Sequence, residues 1–529
     1  MIETGGWIEL SMEDLEGFLE RAKDSLSEED HKIAEALVSS IVYVTRLAED
    51  KGVTAEELRQ LLLGQKTEKT REVLKQPTEK SQRSKEKRKA KDKVKGHGRH
   101  GAEAYRSAEK IVVTHPSLRA GDSCPDCHEG TVYERKPPGV LVRVVGQPPL
   151  RSTVYELQKL RCNLCGRVFT ADPPEGVGRK KYDATSAAML ALLRYGTGLP
   201  FNRLEGLQRS LGTPLPASTQ WDIAEGAAED IWPVYEELVA QAAQGMVVHN
   251  DDTFMRVLSL MKENEERDPS RERTGVFTSG IVSTAEGRKV ALFFTGRQHA
   301  GENLRDVLAH RASELSAPIQ MCDALSRNLP KELEVIVGNC LVHGRRKFVE
   351  VVSSFPEECR HVLETVGEVY HNEAWAKQQK LSPSERLKLH QRKSGPVMDE
   401  LHGWLTGKLE RRDVEPNSGL GRAISYMLKH WEKLTLFLRE PGAPIDNNIC
   451  ERGLKKAILH RKNSLFYRTE NGAHVGDLFM SLIHTCELSE ADPFDYLTQL
   501  LQHTTAISKD PKLWMPWNYR ETLAAQKDL

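Results

Sequence analysis

Glu451 lies in the stretch PIDNNICERGLKKAILHRKN, Pro444 to Asn463, with Arg452, Lys455, Lys456, His460, Arg461 and Lys462 close by in sequence. One carboxylate among so many cations suits a metal ligand or a catalytic acid working on a polyanion. Asp446, Asn447 and Asn448 can cap the first backbone N–H groups of a helix. The residue pattern predicts that helix over about Ile449 to His460. Glu451 then falls in the first turn, where the helix dipole stabilises negative charge. The same spacing also fits a capped surface helix in which Glu451 pairs with Lys455 at i,i+4.

Two aspartates upstream are candidates to join it. Met246–His249 reads as a short buried strand that delivers Asn250, Asp251, Asp252 and Thr253. After a charged loop, Glu263 to Arg273, the runs GVFTSGIVS and RKVALFFTG read as two more strands, the second closed by Gly296. A crossover helix is predicted over Gly301–His310, a fourth strand over Ile319–Cys322 ending at Asp323, and a fifth over Glu334–Val337. His343 to Phe355 reads as a helix bearing Arg345, Arg346 and Lys347. Three antiparallel strands, a helix, then alternating strand and helix is the order of a ribonuclease-H-like fold, a mixed sheet flanked by helices. In that topology the first and fourth strands are neighbours, and Asp251 faces Asp323. Carboxylates brought together repel and raise a pKa unless a hard cation such as Mg²⁺ or Mn²⁺ lies between them. Such ions activate a water or a 3′-hydroxyl and stabilise the leaving oxygen in phosphodiester chemistry. Asp252 competes for the first position, but strand alternation turns it away if Asp251 points inward. Taken singly, these aspartates also read as ordinary loop residues.

The remaining chain divides by composition into a multidomain α/β protein. Residues 1–64 form a helical N-terminal region, with helices predicted over Ser27–Glu49 and Ala55–Leu63, the second opened by a Thr54/Glu57 capping box. Residues 65–110 form a basic flexible linker; Gln65 to His100 holds 14 Lys or Arg against 5 Asp or Glu. Such a segment is attracted to phosphate backbones without folding alone. In residues 111–179, Cys124 and Cys127 are followed, after 34 intervening residues, by Cys162 and Cys165. Two such pairs suit one Zn²⁺ in a closed, structural, zinc-ribbon-like site. Residues 180–240 read as helical, interrupted at Pro214 and Pro216, with a cap at Ser218–Thr219; the pattern fits a DNA-reading helix-turn-helix or any small bundle. Residues 241–355 and 441–502 carry the two parts of the core, separated by a helical insertion at 356–440 with Trp375, Trp404 and Trp431 as expected core anchors. Residues 503–529 are a C-terminal tail. The formal net charge of −1 says nothing about nucleic acid, whereas its distribution does. No leader-like start and no long apolar run is present, and nine cysteines with two CxxC pairs point to a reducing compartment.

The segments HNDDTFMRVL, MCDALSRN, NCLVHGRRKFVE, PIDNNICERGLKKAILHRKNSLF and SLIHTCELSEADPFDYL together resemble the transposases of the insertion sequence 66 family. That resemblance, from about Lys95 to Gln502, implies a DDE catalytic domain of the ribonuclease-H-like kind behind a basic linker and a four-cysteine module. It implies a metal-binding triad of Asp251, Asp323 and Glu451. His343, Arg345, Arg346, Asn447, Asn448 and Arg452 are implied to hold phosphates or brace the triad, and Lys455, Lys456, Arg461 and Lys462 extend the DNA-binding set. The family's Asp-Glu-Thr becomes Asp251-Asp252-Thr253, and its Thr-Asp-Gly-Tyr becomes Cys322-Asp323-Ala324-Leu325, with each proposed ligand kept. The implied partners are transposon-end and target DNA, a second copy of the chain during reaction and accessory proteins of the same element. The implied setting is the cytoplasm of a prokaryote, at the nucleoid. A ribonuclease-H-like nuclease that cuts without joining, and a non-catalytic zinc-containing DNA-binding protein, are the rival readings.

Overall fold

The computed structural model describes residues 110–527 except 135–139, 144–146, 166, 179, 266–272 and 286, together with residues 2–4, 7–9, 31, 34 and 70–73. Apart from His31 and Ala34, both helical, the helices expected over Ser27–Glu49 and Ala55–Leu63, the basic segment apart from a helical turn at Thr70–Val73, and most of the loop Glu263–Arg273 lie outside those residues. The chain divides into two compact units, one of Pro77–Leu190 and Pro200–Ile223, the other of Met1–Gln76, Ala191–Leu199 and Ala224–Leu529.

At the start of the chain, β1 (Ile2–Thr4) and β2 (Trp7–Glu9) pair as an antiparallel hairpin. In the smaller unit, β3 (Lys159–Arg161) pairs antiparallel with β4 (Val168–Thr170), and both are exposed along their length. Helix α1 (Ala184–Ala191) is followed by α2 (Phe201–Ser210) and α3 (Ala217–Ala243). Pro214 and Pro216 do interrupt the helices, but α3 starts at Ala217, one residue ahead of the expected Ser218–Thr219 cap. The buried Gln220 amide fastens the break by donating to the carbonyls of Phe201 and Leu215, at 3.1 and 2.9 Å.

The expected zinc site is not built. Cys124 and Cys127 sit on one turn, closed by the His128 N–H on the Cys124 carbonyl at 2.9 Å, and Cys162 and Cys165 on another. Among the described residues the four sulfurs do not form one ligand cluster, and none of the four cysteines is in a disulfide. Nearly every described side chain between the two turns is exposed, so no buried apolar face draws them together.

The larger unit is built on a mixed five-stranded sheet. Its strands are β5 (Val247–Phe254), β6 (Phe277–Ala285), β7 (Arg288–Gly296), β8 (Ile319–Cys322) and β9 (Ile336–Asn339), in the order β7-β6-β5-β8-β9. The first three are antiparallel, with Phe254 opposite Phe277 and Phe277 opposite Gly296. β8 and β9 are parallel to β5, with His249 opposite Met321 and Cys322 opposite Asn339. β5 therefore runs through Asp251 and Asp252 instead of ending at His249. Two polar residues in a row read as a loop, but pairing with β6 along the whole strand holds them extended. The fifth strand begins two residues later than expected, at Ile336.

Helices cover the sheet: α4 (Leu258–Glu263), α5 (Ala300–Leu308), α6 (Leu341–Val349), α10 (Asn448–Ser464) and α11 (Glu470–Leu488), the labels α7–α9 falling in the insertion described next. A β-edge normally exposes unpaired backbone N–H groups, and here α11 covers that of β7 with side chains one helical turn apart. Asp477, Ser481 and Thr485 accept the N–H groups of Thr295, Phe293 and Ala291 at 2.6, 2.9 and 3.0 Å. The insertion contains α7 (Pro356–Gln378), α8 (Pro383–Glu410) and α9 (Gly419–Lys429). Its apolar residues, among them Val366, Leu401, Ile424 and Met427, share one core with Ile319, Leu341 and Phe348 of the sheet region. The insertion is therefore packed into the sheet-bearing unit and is not an appendage. Trp404 and Trp431 pack against this core as expected, but Trp375 is 43% exposed and lies under the Lys393 ammonium. No helix among the described residues is long and apolar enough to cross a membrane.

Candidate active site

The parallel register that sets His249 opposite Met321 carries two residues further to bring Asp251 beside Asp323. Asp251 is largely buried, and its pKa is pushed up to about 7, first by burial and then by the negative charge of Asp323, with Asp252 and Glu451 adding to it. The Asp252 N–H, donating to Asp251 Oδ1 at 2.8 Å, offsets only part of this. Side chains alternate along β5, and Asp252 turns the other way. It accepts a hydrogen bond from His299 Nδ1 at 2.9 Å and forms an ion pair with Arg327, whose Nη2 is 3.0 Å from Asp252 Oδ1, with its side chain 1% exposed.

Glu451 reaches the pair from the first turn of α10, which extends from Asn448 to Ser464, longer at both ends than expected. The helix approaches through a glycine: Gly280 sits opposite Asp251 on β6, and a Cβ there would meet Leu454 Cγ at 2.9 Å. Cys450 donates from its thiol to the Gly280 carbonyl at 3.2 Å. Beside Glu451 is His343, with Nε2 3.9 Å from Glu451 Oε1. Lys455, expected as the surface partner, is exposed and makes no ion pair with Glu451 among the described residues. Glu451 Oε1 is itself buried and without a hydrogen-bond donor.

The start of α10 is fixed by Asn447, which is fully buried. Its N–H donates to Cys340 Sγ at 3.2 Å and its Nδ2 to the Asn250 carbonyl at 3.1 Å, while its Oδ1 meets His249 Nδ1 at 3.1 Å. An amide oxygen can only accept, so His249 carries hydrogen on Nδ1; burial lowers its pKa to about 4 and keeps it neutral. The Asn448 N–H donates to Asp446 Oδ1 at 3.1 Å, the Asx turn expected there.

The expected DNA-binding residues do not share one environment. Asn447 and Arg345 are buried, the latter donating to Thr70 Oγ1 at 3.2 Å, surroundings that suit the bracing side of the role the resemblance implies. Lys456 bonds Glu487 at 2.7 Å, on the face of α10 turned toward α11. Arg461 donates to Thr253 Oγ1 at 3.2 Å and to the Phe254 carbonyl, tying α10 to the end of β5. Asn448, His343 and Arg346 are half-buried. Arg452, Lys455 and Lys462 are exposed, and their spacing sets them on one face of α10.

Several site residues carry no spacing signal in the sequence. Asn328, fully buried in the turn Ser326–Asn328 after β8, donates its side-chain amide to Asp323 Oδ1 at 2.6 Å and reaches Asp251 Oδ1 at 3.5 Å. Asn339 donates to the Asp323 carbonyl at 3.2 Å. Asn250 in β5 and Gln320, the one polar residue of β8, are fully buried. A buried amide must find partners, and that was the one signal available for them.

The donor set fits a hard divalent cation. Asp251 and Asp323 stand together, with Glu451 near enough to add to the charge on Asp251; burial first and then that charge hold Asp251 near neutrality, and Glu451 carries a buried oxygen without a donor, an arrangement an oxygen-ligated cation relieves. Among the described residues, the set that brings one ligand atom each within 4.8 Å of the others is Cys340, His343 and Glu451, and it includes neither Asp251 nor Asp323. Burial pushes the Cys340 thiol up to about 12, however, so it is protonated at neutral pH and is no ligand for a hard ion.

Residues 179–475 match the model of the Transposase IS66 family. The chain is similar to the uncharacterized protein y4jD of Sinorhizobium fredii (strain NBRC 101917 / NGR234), 27% identical over 361 residues, 64% of this chain and 66% of that one. It is also similar to the uncharacterized protein y4hP of the same organism, 26% identical over 399 residues, 71% of this chain and 70% of the relative. The matched region of y4jD is thus just under two thirds of its length. The family match covers more than half of the chain and runs over Asp251, Asp323 and Glu451, and the chain belongs to the Transposase IS66 family.

Proposed function

We propose that the chain nicks transposon ends and transfers the released 3′-hydroxyl strand to target DNA by divalent-metal-dependent phosphodiester chemistry. The observation that carries this reading is the pairing of Asp251 on β5 with Asp323 at the end of β8 and the nearness of Glu451 on α10, which add to burial in bringing the Asp251 pKa to about 7. The strand order supports a ribonuclease-H-like core. Asp251, Asp323 and Glu451 would hold Mg²⁺ or Mn²⁺, which when bound acidifies a water and neutralises charge developing on the phosphate.

The chain's own residues set the rest. His343 orients the Glu451 carboxylate, and Asn447 fixes the helix that carries it. Arg452, Lys455 and Lys462 offer exposed positive charge to the DNA backbone, which positions it without reading sequence. In the first step a water oxygen attacks the phosphorus, the P–O3′ bond breaks, and the departing O3′ takes up a proton. In the second, that 3′-hydroxyl attacks a target phosphodiester, loses its proton, and displaces the target's own O3′. No covalent protein–DNA intermediate is required. Residues 1–64, the basic linker at 65–110 and the helices of 180–240 would bind DNA outside the catalytic unit. The two-ended reaction favours a dimer, with accessory proteins of the element and a cytoplasmic, nucleoid-associated setting.

The test is incubation of the full chain with its element's terminal DNA, target DNA and Mg²⁺ or Mn²⁺, scoring cleaved and joined products separately. Both products are expected. Cleavage without joining would replace the reading with that of a nuclease, and binding without cleavage with that of a DNA-binding protein.

A further inference from the structure

The second aspartate of the pair Asp251–Asp252 faces away from the converging carboxylates, yet its side chain is almost wholly buried and doubly paired. One partner, His299, is the N-cap residue of α5; the other, Arg327, lies in the turn Ser326–Asn328. Phe277 packs against both, with its ring centroid 4.3 Å from that of His299 and 5.8 Å from the Arg327 guanidinium carbon. Asp252 thereby anchors the turn to the sheet. Asn328 follows Arg327, and its backbone carbonyl accepts from Asn250 Nδ2 at 2.7 Å and from Gln320 Nε2 at 2.6 Å. Gln320 also donates to Asn250 Oδ1 at 2.8 Å, closing a ring across β5 and β8. The other side of the turn is closed by α5: a Cβ at Gly301 would lie 2.3 Å from the Leu329 carbonyl oxygen and 2.7 Å from that of Arg327.

All of this holds one amide. Asn328 Nδ2 donates to Asp323 Oδ1 at 2.6 Å and spans to Asp251 Oδ1 at 3.5 Å. A neutral donor draws two repelling carboxylates toward a common point without supplying a charge that would compete with a cation. It also leaves each carboxylate a second oxygen. A lysine there would neutralise the pair, and an apolar residue would leave the two strand ends free to splay.

We propose that Asn328 is a positioning residue that sets the Asp251–Asp323 separation for cation binding, with Asp252 and Arg327 as the anchor of its turn. The inference rests on the metal-binding reading of Asp251 and Asp323 and adds the element that spaces them. Partners of metal ligands of this kind are worth roughly 10–100-fold in metal affinity or activity.

The test is Mn²⁺ binding by calorimetry to the full chain without DNA, comparing wild type, Asn328→Ala, Asn328→Ser and Asp251→Asn, with circular dichroism as the check on folding. The expected order of affinity is wild type, then Ser, which keeps a shorter donor, then Ala, about 10-fold or more below wild type, with Asp251→Asn lowest. In the cleavage assay, raised Mn²⁺ should restore much of the Asn328→Ala rate, as it would not for a simple fold defect. Should Ala fail to fold, Ser against wild type decides the matter. Wild-type affinity in the folded Asn328 variants, alongside its loss in Asp251→Asn, overturns the positioning role alone. Unchanged affinity in Asp251→Asn removes the metal-site reading and this inference with it.

Discussion

At the scale of single residues, the site carries its cost in Asp251. In the fold its pKa is about 7, against 3.8 for the free side chain. Between those values the unfolded chain gives up a proton that the folded chain retains, so stability falls as pH rises from about 4 to about 7. Without divalent metal at neutral pH, Asp251→Asn should therefore be more stable than wild type, by roughly 2–3 kcal/mol after allowing for partial solvent screening. Thermal melts across this pH range should show the variants converging at low pH, and Mn²⁺ should raise the wild-type melting temperature while leaving Asp251→Asn unmoved. A wild type that melts higher than the variant without metal at neutral pH would contradict the repulsion argument. The residue types at the site were legible because carboxylates after apolar runs, and a carboxylate within a basic helix, are unusual placements. Asn328 was not legible, and a bracing role for Asn447 was implied by the family resemblance alone. Each acts through a partner distant in sequence, so no local spacing records it.

At the scale of elements, two joints decide whether the carboxylates meet. The first is the approach of α10 to β6 at Gly280, where Leu454 fills the space a side chain would need. Gly280→Val should push α10 outward, cost about 1–3 kcal/mol as overpacking does, and lower cleavage by more than its loss of stability explains. Cleavage kinetics beside denaturant melts would separate the two effects. The second joint is the insertion. Glu373 of α7 is 4% exposed and accepts from Arg386 at 2.6 Å and from His390 at 3.0 Å. Burial alone would raise its pKa, but the hydrogen bond from His390 and the charge of Arg386 outweigh it and hold it at about 2. That contribution is present above the unfolded value of 4.5 and is lost as pH falls toward 2. Glu373→Gln should cost about 2–3 kcal/mol at neutral pH and nearly nothing at the acid end, measured by urea melts; an equal loss at both ends would contradict the ion-pair account. Strands rich in β-branched and aromatic residues were placed to within two residues. β5 was cut short because Asp251 and Asp252 look like a loop until the partner strand is known.

At the scale of the molecule, the order of the sheet was legible because each strand is a short apolar run and each connection is long enough for only a few topologies. The insertion was legible as helical, but not as part of the sheet's own core, because periodicity shows which face is apolar and not what it meets. The two cysteine pairs were the clearest motif in the chain, and the described structure does not join them. Spacing within each pair builds a turn; bringing two turns together needs either packing or ligand bonds between them. The central claim is that Asp251, Asp323 and Glu451 act as one metal-holding group in DNA strand cleavage and transfer. Its most direct measurement is the cleavage and joining assay on the element's terminal DNA, run with Asp251→Asn, Asp323→Asn and Glu451→Gln, each shown to fold and to bind that DNA. The account predicts that wild type cuts and joins with Mg²⁺ or Mn²⁺, and that each substitution lowers both products by at least about 100-fold. Cleavage at the wild-type rate in any one of the three would contradict it.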